Sequence, residues 1–177
     1  MKSLVDHLSN YATYHRDRRN IATHFVGVPM IVFGVQALLS RPALAAGGLV
    51  TPALIATVGT LLFYTLLSPR FALVMAALLV PSLYGAGAVA AQATKSWLIL
   101  SLGVFAIGWL IQFVGHIFEG RKPAFVDDII GLLIGPLFVV AEVGFALGLA
   151  GGLQKRIEER AGATHGGERA NATPNLG

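Results

Sequence analysis

Residues 71–94, FALVMAALLVPSLYGAGAVAAQAT, and residues 96–118, SWLILSLGVFAIGWLIQFVGHIF, are separated by a single charge, Lys95, and neither run contains Lys, Arg, Asp or Glu. Each exceeds the roughly 20 residues with which an α-helix crosses about 30 Å of hydrocarbon. A chain in lipid must satisfy its own backbone N–H and C=O groups, so both runs read as membrane-spanning helices. Working outward, further apolar stretches lie near residues 43–67, 21–39 and 129–153, set off by Ser68-Pro69-Arg70, Ser40-Arg41-Pro42 and the polar run Glu119 to Asp128. The expected fold is therefore all-α, a multi-pass transmembrane helical bundle with four crossings. A fifth apolar segment, carrying Gly135-Pro136 and Glu142, is re-entrant, interfacial or crossing.

Composition agrees. The 177 residues are 55% hydrophobic with 21 glycines, and only 12% are charged, about half the share in soluble domains. With no cysteine, a disulfide scaffold, a thiolate zinc site, an iron–sulfur cluster and a cysteine nucleophile are excluded, leaving His, Asp and Glu as metal ligands. The net charge of +4 comes from Lys and Arg scattered between apolar blocks, the pattern of membrane flanks and not of a nucleic-acid surface. Residues 1–20 are polar and lack the apolar run of a signal peptide, so no cleavage is expected.

The positive charges also test orientation. If all five apolar segments crossed, the two sides would share Lys and Arg almost evenly. If the fifth returns to its own side, the split becomes eleven against two, which favours four crossings with both termini cytoplasmic. The Gly- and Ala-rich composition points to a bacterial inner membrane. Residues 1–153 are expected to form one integral membrane domain. Residues 154–177 are expected to be a mostly disordered polar tail with His165 solvated. The spacings Gly131/Gly135 and Gly144/Gly148/Gly152 suit close helix packing, with a homo-oligomer interface as the sharper reading.

Three histidines demand a reason. His15 and His24 flank the start of the first crossing and His116 ends the fourth. An even number of crossings separates them, so all three lie on one side of the membrane. On an unbroken helix His15 and His24 would point in opposite directions, because nine residues turn the chain through about two and a half turns. A break is required, and Asp17 is a plausible N-cap for it. Asn20 and Gln112 each precede a histidine by four residues, as amides able to support the rings from behind. Glu119 follows His116 by three, the leading carboxylate candidate as ligand or base. Asp127 and Asp128 read first as helix-start residues and second as additional ligands, and Arg121 and Lys122 could hold an anionic head group. Imidazole with carboxylate and no sulfur suits zinc or iron(II). A lipid-like acid is the implied substrate class. The residues alone leave three functions open: an oxygen-using iron enzyme, a zinc hydrolase, and a membrane scaffold or small-solute carrier.

The strings YHRDRRNIATHFVGVP (Tyr14, His15, Asn20, His24, Pro29) and QFVGHIFEGRKPA (Gln112, His116, Glu119, Pro123, Ala124) resemble the two signature regions of the Mpo1-like family, from about Leu8 to Glu142. The resemblance implies a small multi-pass membrane protein and an iron(II)-dependent dioxygenase that uses dioxygen to shorten 2-hydroxy fatty acids by one carbon in α-oxidation. Family histidines matching His15, His24 and His116 would be the iron ligands. Some relatives carry His-His-Asn-Pro where this chain has His15-Arg16-Asp17-Arg18. The additional imidazole is thus absent, and His7, eight residues before His15, is a candidate replacement.

Overall fold

A computed structural model describes residues 2–44 and 50–166. Seven α-helices are described: α1 (Leu4–Ala12), α2 (Arg18–Leu39), α3 (Pro52–Leu67), α4 (Pro69–Ala90), α5 (Thr94–Glu119), α6 (Gly131–Ala146) and α7 (Gly151–Ala161), with a 3₁₀ turn at Ala124–Val126. Among the described residues the only β-type pairing is an isolated parallel bridge between Asp17 and His165. The chain forms an all-α membrane protein. The 22-residue α2 and α4 and the 26-residue α5 are long and apolar enough to cross a membrane, reaching about 33 to 39 Å at 1.5 Å per residue. The apolar α3 has 16 residues, fewer than the stretch 43–67 suggested. It starts where Thr51 caps it, the Thr51 hydroxyl accepting from Leu54 N–H at 3.2 Å with Pro52 next in line.

The chain divides into two compact units, Val26–Leu110 and Met1–Phe25 with Ile111–Gly177. In the first, glycine lets α2 and α5 meet closely: a Cβ on Gly34 would lie 2.8 Å from Phe105 Cβ, and one on Gly108 would lie 3.0 Å from the Gly27 carbonyl. A buried amide fastens three helices. Gln36 donates to the Thr57 hydroxyl (3.1 Å) and the Leu79 carbonyl (3.2 Å) and accepts from the Ser82 hydroxyl (2.6 Å). Leu62, Leu66, Leu73, Leu78 and Ile99 are exposed, as lipid-facing side chains must be.

In the other unit, α1 packs against α6 and α7 around Leu8, Ala12, Leu137, Phe138, Ala141 and Ile157, all almost fully buried. A capping box starts α1: the Ser3 hydroxyl accepts from Asp6 N–H, and the Asp6 carboxylate accepts from Ser3 N–H at 2.8 Å. Asp6 also accepts from Arg160 of α7 at 2.6 Å. The Ser3 bonds, and after them Arg160, hold the Asp6 carboxyl below its ordinary range. A depressed carboxyl favours the folded state above its unfolded pKa, near 3.9, and that contribution disappears as pH falls below it. The protection factor of the amides at the start of α1, exchange corrected for its intrinsic pH dependence, should therefore fall on acidification below about pH 4, and Asp6→Asn should remove this acid step.

The fifth apolar segment is broken. α6 and α7 meet at 117° through a reversal with positive φ at Gly148 (72°) and Ala150 (58°). Glu119, at the end of α5, and His165, beyond α7, both hydrogen-bond the main chain of Arg16. The excursion between them thus leaves from and returns to the same turn of the chain.

The expected tail boundary at residue 154 falls inside α7. That helix looked disordered because it buries one narrow face, Ile157 at 1% exposure, under an otherwise polar surface. His165 is likewise not a solvated tail residue: its N–H donates to the Arg16 carbonyl and its carbonyl accepts from Arg18 N–H, both at 2.9 Å. Residues 167–177, the rest of the expected tail, lie outside the described residues. Gly131 and Gly135 make close contacts, whereas a Cβ at Gly144 or Gly152 would meet nothing.

Candidate metal centre

The break expected between His15 and His24 is present. Helix α1 stops at Ala12 and α2 starts at Arg18, where the Asp17 carboxylate accepts from Arg19 N–H at 2.8 Å. His15 sits in the intervening turn, His24 on the second turn of α2 and His116 on the last turn of α5. All three are buried. One ligand nitrogen from each lies within 4.8 Å of the other two, and the ring centroids are 4.4 to 5.4 Å apart. Among the described residues this is the only group of three or more His, Asp or Glu side chains so placed.

Each ring is oriented by its surroundings. His15 Nδ1 bonds the Tyr11 carbonyl and His24 Nδ1 the Asn20 carbonyl, both at 2.8 Å and both four residues back. A carbonyl only accepts, so Nδ1 carries the proton in each and Nε2 keeps its lone pair. Tyr11 stacks on His15 at 4.2 Å and 6°, and Phe138 closes behind at 5.6 Å. His116 Nδ1 and His15 Nε2 are buried without a hydrogen-bond partner. Burial first, and the His24 ring second, push the His15 pKa well below its ordinary value, which keeps that imidazole neutral. A metal ion with nitrogen bonds of about 2.1 Å would span ligand atoms up to about 4.2 Å apart. The three nitrogens lie within 4.8 Å of one another, close to that span, and imidazoles without sulfur are a donor set that fits a divalent transition metal.

The carboxylates lie elsewhere. Glu119 does not join the nitrogen cluster: its oxygens accept from Arg16 N–H (2.9 and 3.0 Å), Asp17 N–H (2.8 Å) and Asn20 Nδ2 (3.0 Å). It braces the turn that carries His15, because a turn outside both helices leaves its main-chain N–H groups to be satisfied by side chains. The Asn20 side chain, expected behind His24, serves Glu119 instead, and only its carbonyl meets the ring. Gln112 is buried, but its Oε1 has no partner.

His7 is buried on α1 and lies outside the cluster. With α1 ending at Ala12, the eight-residue spacing to His15 no longer defines one helix face. Asp127 and Asp128 are also outside it. Asp127 pairs with Lys122 at 2.5 Å and accepts from the Tyr14 hydroxyl at 2.8 Å, and Asp128 accepts from Ile130 N–H at 3.0 Å. Arg121 is exposed and donates to the Thr13 carbonyl at 2.9 Å.

Two contacts escaped the sequence reading. Glu142 finds a partner in Arg16 at 3.6 Å, with both side chains mostly buried. Tyr11, near the end of α1, stacks on His15 in the turn that follows.

Gly115 sets the approach of α5 to α2 at this site. A Cβ there would lie 2.5 Å from Asn20 Oδ1 and overlap the Thr23 hydroxyl, which is itself bonded to the Asn20 carbonyl at 2.7 Å. Gly115→Ala should destabilise the fold by about 1–3 kcal/mol, read as a lower melting temperature in detergent.

These features define a class: a helical, multi-pass membrane protein with a buried cluster of three imidazoles and no sulfur ligands. The chain belongs to the 2-hydroxy-palmitic acid dioxygenase Mpo1-like family, whose pattern matches residues 1–147. It is 31% identical over 157 residues to the 2-hydroxy-palmitic acid dioxygenase MPO1 of Saccharomyces cerevisiae, covering 88% of this chain and 87% of the yeast protein. No solved structure matches the chain.

Proposed function

We propose that His15, His24 and His116 hold iron(II) and that the protein is a dioxygenase shortening 2-hydroxy fatty acids by one carbon at the membrane face. The observation that carries this reading is the convergence of three buried imidazole nitrogens within 4.8 Å, and the name of the yeast relative supports the substrate class. Iron(II) bound there would supply oxygen activation and open positions for the carboxylate and 2-hydroxyl of the acid.

The chain's own groups do the rest. Main-chain carbonyls of Tyr11 and Asn20 hold the His15 and His24 rings with Nε2 available, and Tyr11 and Phe138 exclude water from one side. Arg121, exposed beside the site's turn with one N–H on Thr13, attracts the acid head group. Lys122 contributes less, being paired with Asp127. The bilayer around α2 to α5 takes the alkyl chain.

The test is metal analysis of protein purified without oxygen, followed by incubation with 2-hydroxypalmitate. Iron-dependent, oxygen-dependent formation of the acid one carbon shorter is expected. Turnover that persists without oxygen, or with zinc alone, would overturn the reading. For orientation, reporters fused at either terminus should both signal the cytoplasmic side of a bacterial inner membrane.

A further inference from the structure

The turn that carries His15 is held from two directions. One brace is Glu119. The other comes from beyond residue 147, where the family match ends. There, His165 N–H donates to the Arg16 carbonyl and the His165 carbonyl accepts from Arg18 N–H, both at 2.9 Å, so one residue ties the main chain on both sides of Asp17. The Gly162 carbonyl accepts from Arg16 Nη1 at 3.0 Å. Arg16 Nε meanwhile donates to the Ala12 and His15 carbonyls at 2.8 and 2.9 Å, joining this strap directly to the residue carrying the imidazole. Helix α7 anchors it through buried Ile157 and the Arg160–Asp6 pair at 2.6 Å.

Residues 13–17 belong to neither α1 nor α2, so nothing in local helix geometry fixes them, and unsatisfied main-chain groups in a buried turn would favour its opening. We propose that Gly151–His165 is a clamp that positions His15 and slows loss of the bound metal, with His165 acting through its main chain and Arg16 as the positioning side chain. This rests on the three histidines holding a metal.

The deciding comparison uses the full chain with His165→Pro and His165→Ala. Proline removes the N–H that meets Arg16, whereas alanine keeps it. In metal-free protein, amide exchange across residues 13–20 should be faster in His165→Pro than in His165→Ala, which should match the unmodified chain. In Co(II)-loaded protein, release to EDTA, followed by the cobalt absorption bands, should be about tenfold faster in His165→Pro. Ile157→Ala, which loosens α7 on α1, should move both readouts the same way and decides the matter if the proline variant fails to fold. Equal exchange in the proline and alanine variants, or faster exchange with unchanged cobalt release, would overturn the clamp. Failure of the unmodified chain to bind Co(II) would instead overturn the metal reading, and the exchange comparison would still decide whether the strap holds the turn.

Discussion

Replacing His24 by alanine should reduce both bound iron and turnover of 2-hydroxypalmitate by more than about 100-fold, since losing a ligand costs at least as much as losing a group that merely supports one. The ring is 2% exposed, and its Nδ1 is held by the Asn20 carbonyl, which leaves Nε2 as the nitrogen that would reach a metal. The helix should survive, because alanine suits its interior. His7→Ala is the matched comparison. His7 is also buried but stands outside the cluster, so that variant should keep its metal. Full iron content in His24→Ala, measured on protein of unchanged helicity, would remove the basis for the centre.

Glu119→Ala should be the most damaging change that touches no imidazole. The carboxylate accepts from two main-chain N–H groups and the Asn20 amide, and hydrogen bonds to a charged acceptor contribute about 1.5–3 kcal/mol each. With partial relaxation, a loss of about 3–5 kcal/mol is expected in melting or denaturant experiments. Glu119→Gln separates a brace from a ligand. Glutamine retains one acceptor but turns an NH₂ toward donors, so exchange across residues 14–20 should rise while a substantial part of the metal stays bound. Loss of the metal without any change in exchange would make Glu119 a ligand after all.

The contrast between these two predictions shows how differently the two halves of the site were written in the sequence. His15 and His24 lie nine residues apart, and helical geometry alone required a break between them. The N-cap at Asp17 supplied it where expected. Counting apolar runs put His116 on the same expected side as that pair, but its meeting with them in one cluster was visible only in the structure. Glu119 was visible as a carboxylate near His116 but not as a brace. Its partners are the N–H groups of Arg16 and Asp17, more than a hundred residues away, and main-chain groups carry no identity that a sequence can display.

The same limit explains the error over the C-terminal segment. Polar composition distinguishes a soluble face from a lipid-facing one, but one buried Ile157 on a short helix leaves almost no periodic signal. The apolar run 43–67 is longer than α3 for a related reason: hydropathy does not mark where a helix begins, and the start of α3 is set by the Thr51 cap and Pro52.

By itself, then, the sequence determined a helical membrane protein, its apolar runs, and the break between His15 and His24. Each follows from local periodicity or hydropathy, which need no knowledge of contacts. Only the tertiary structure decided which groups orient those rings, that Glu119 serves the main chain, that Arg16 meets Glu142, and that the segment after α7 returns to the turn carrying His15. Those outcomes depend on which donor reaches which acceptor across long separations, and hydrogen bonds of 3 Å are selected by packing, not by composition.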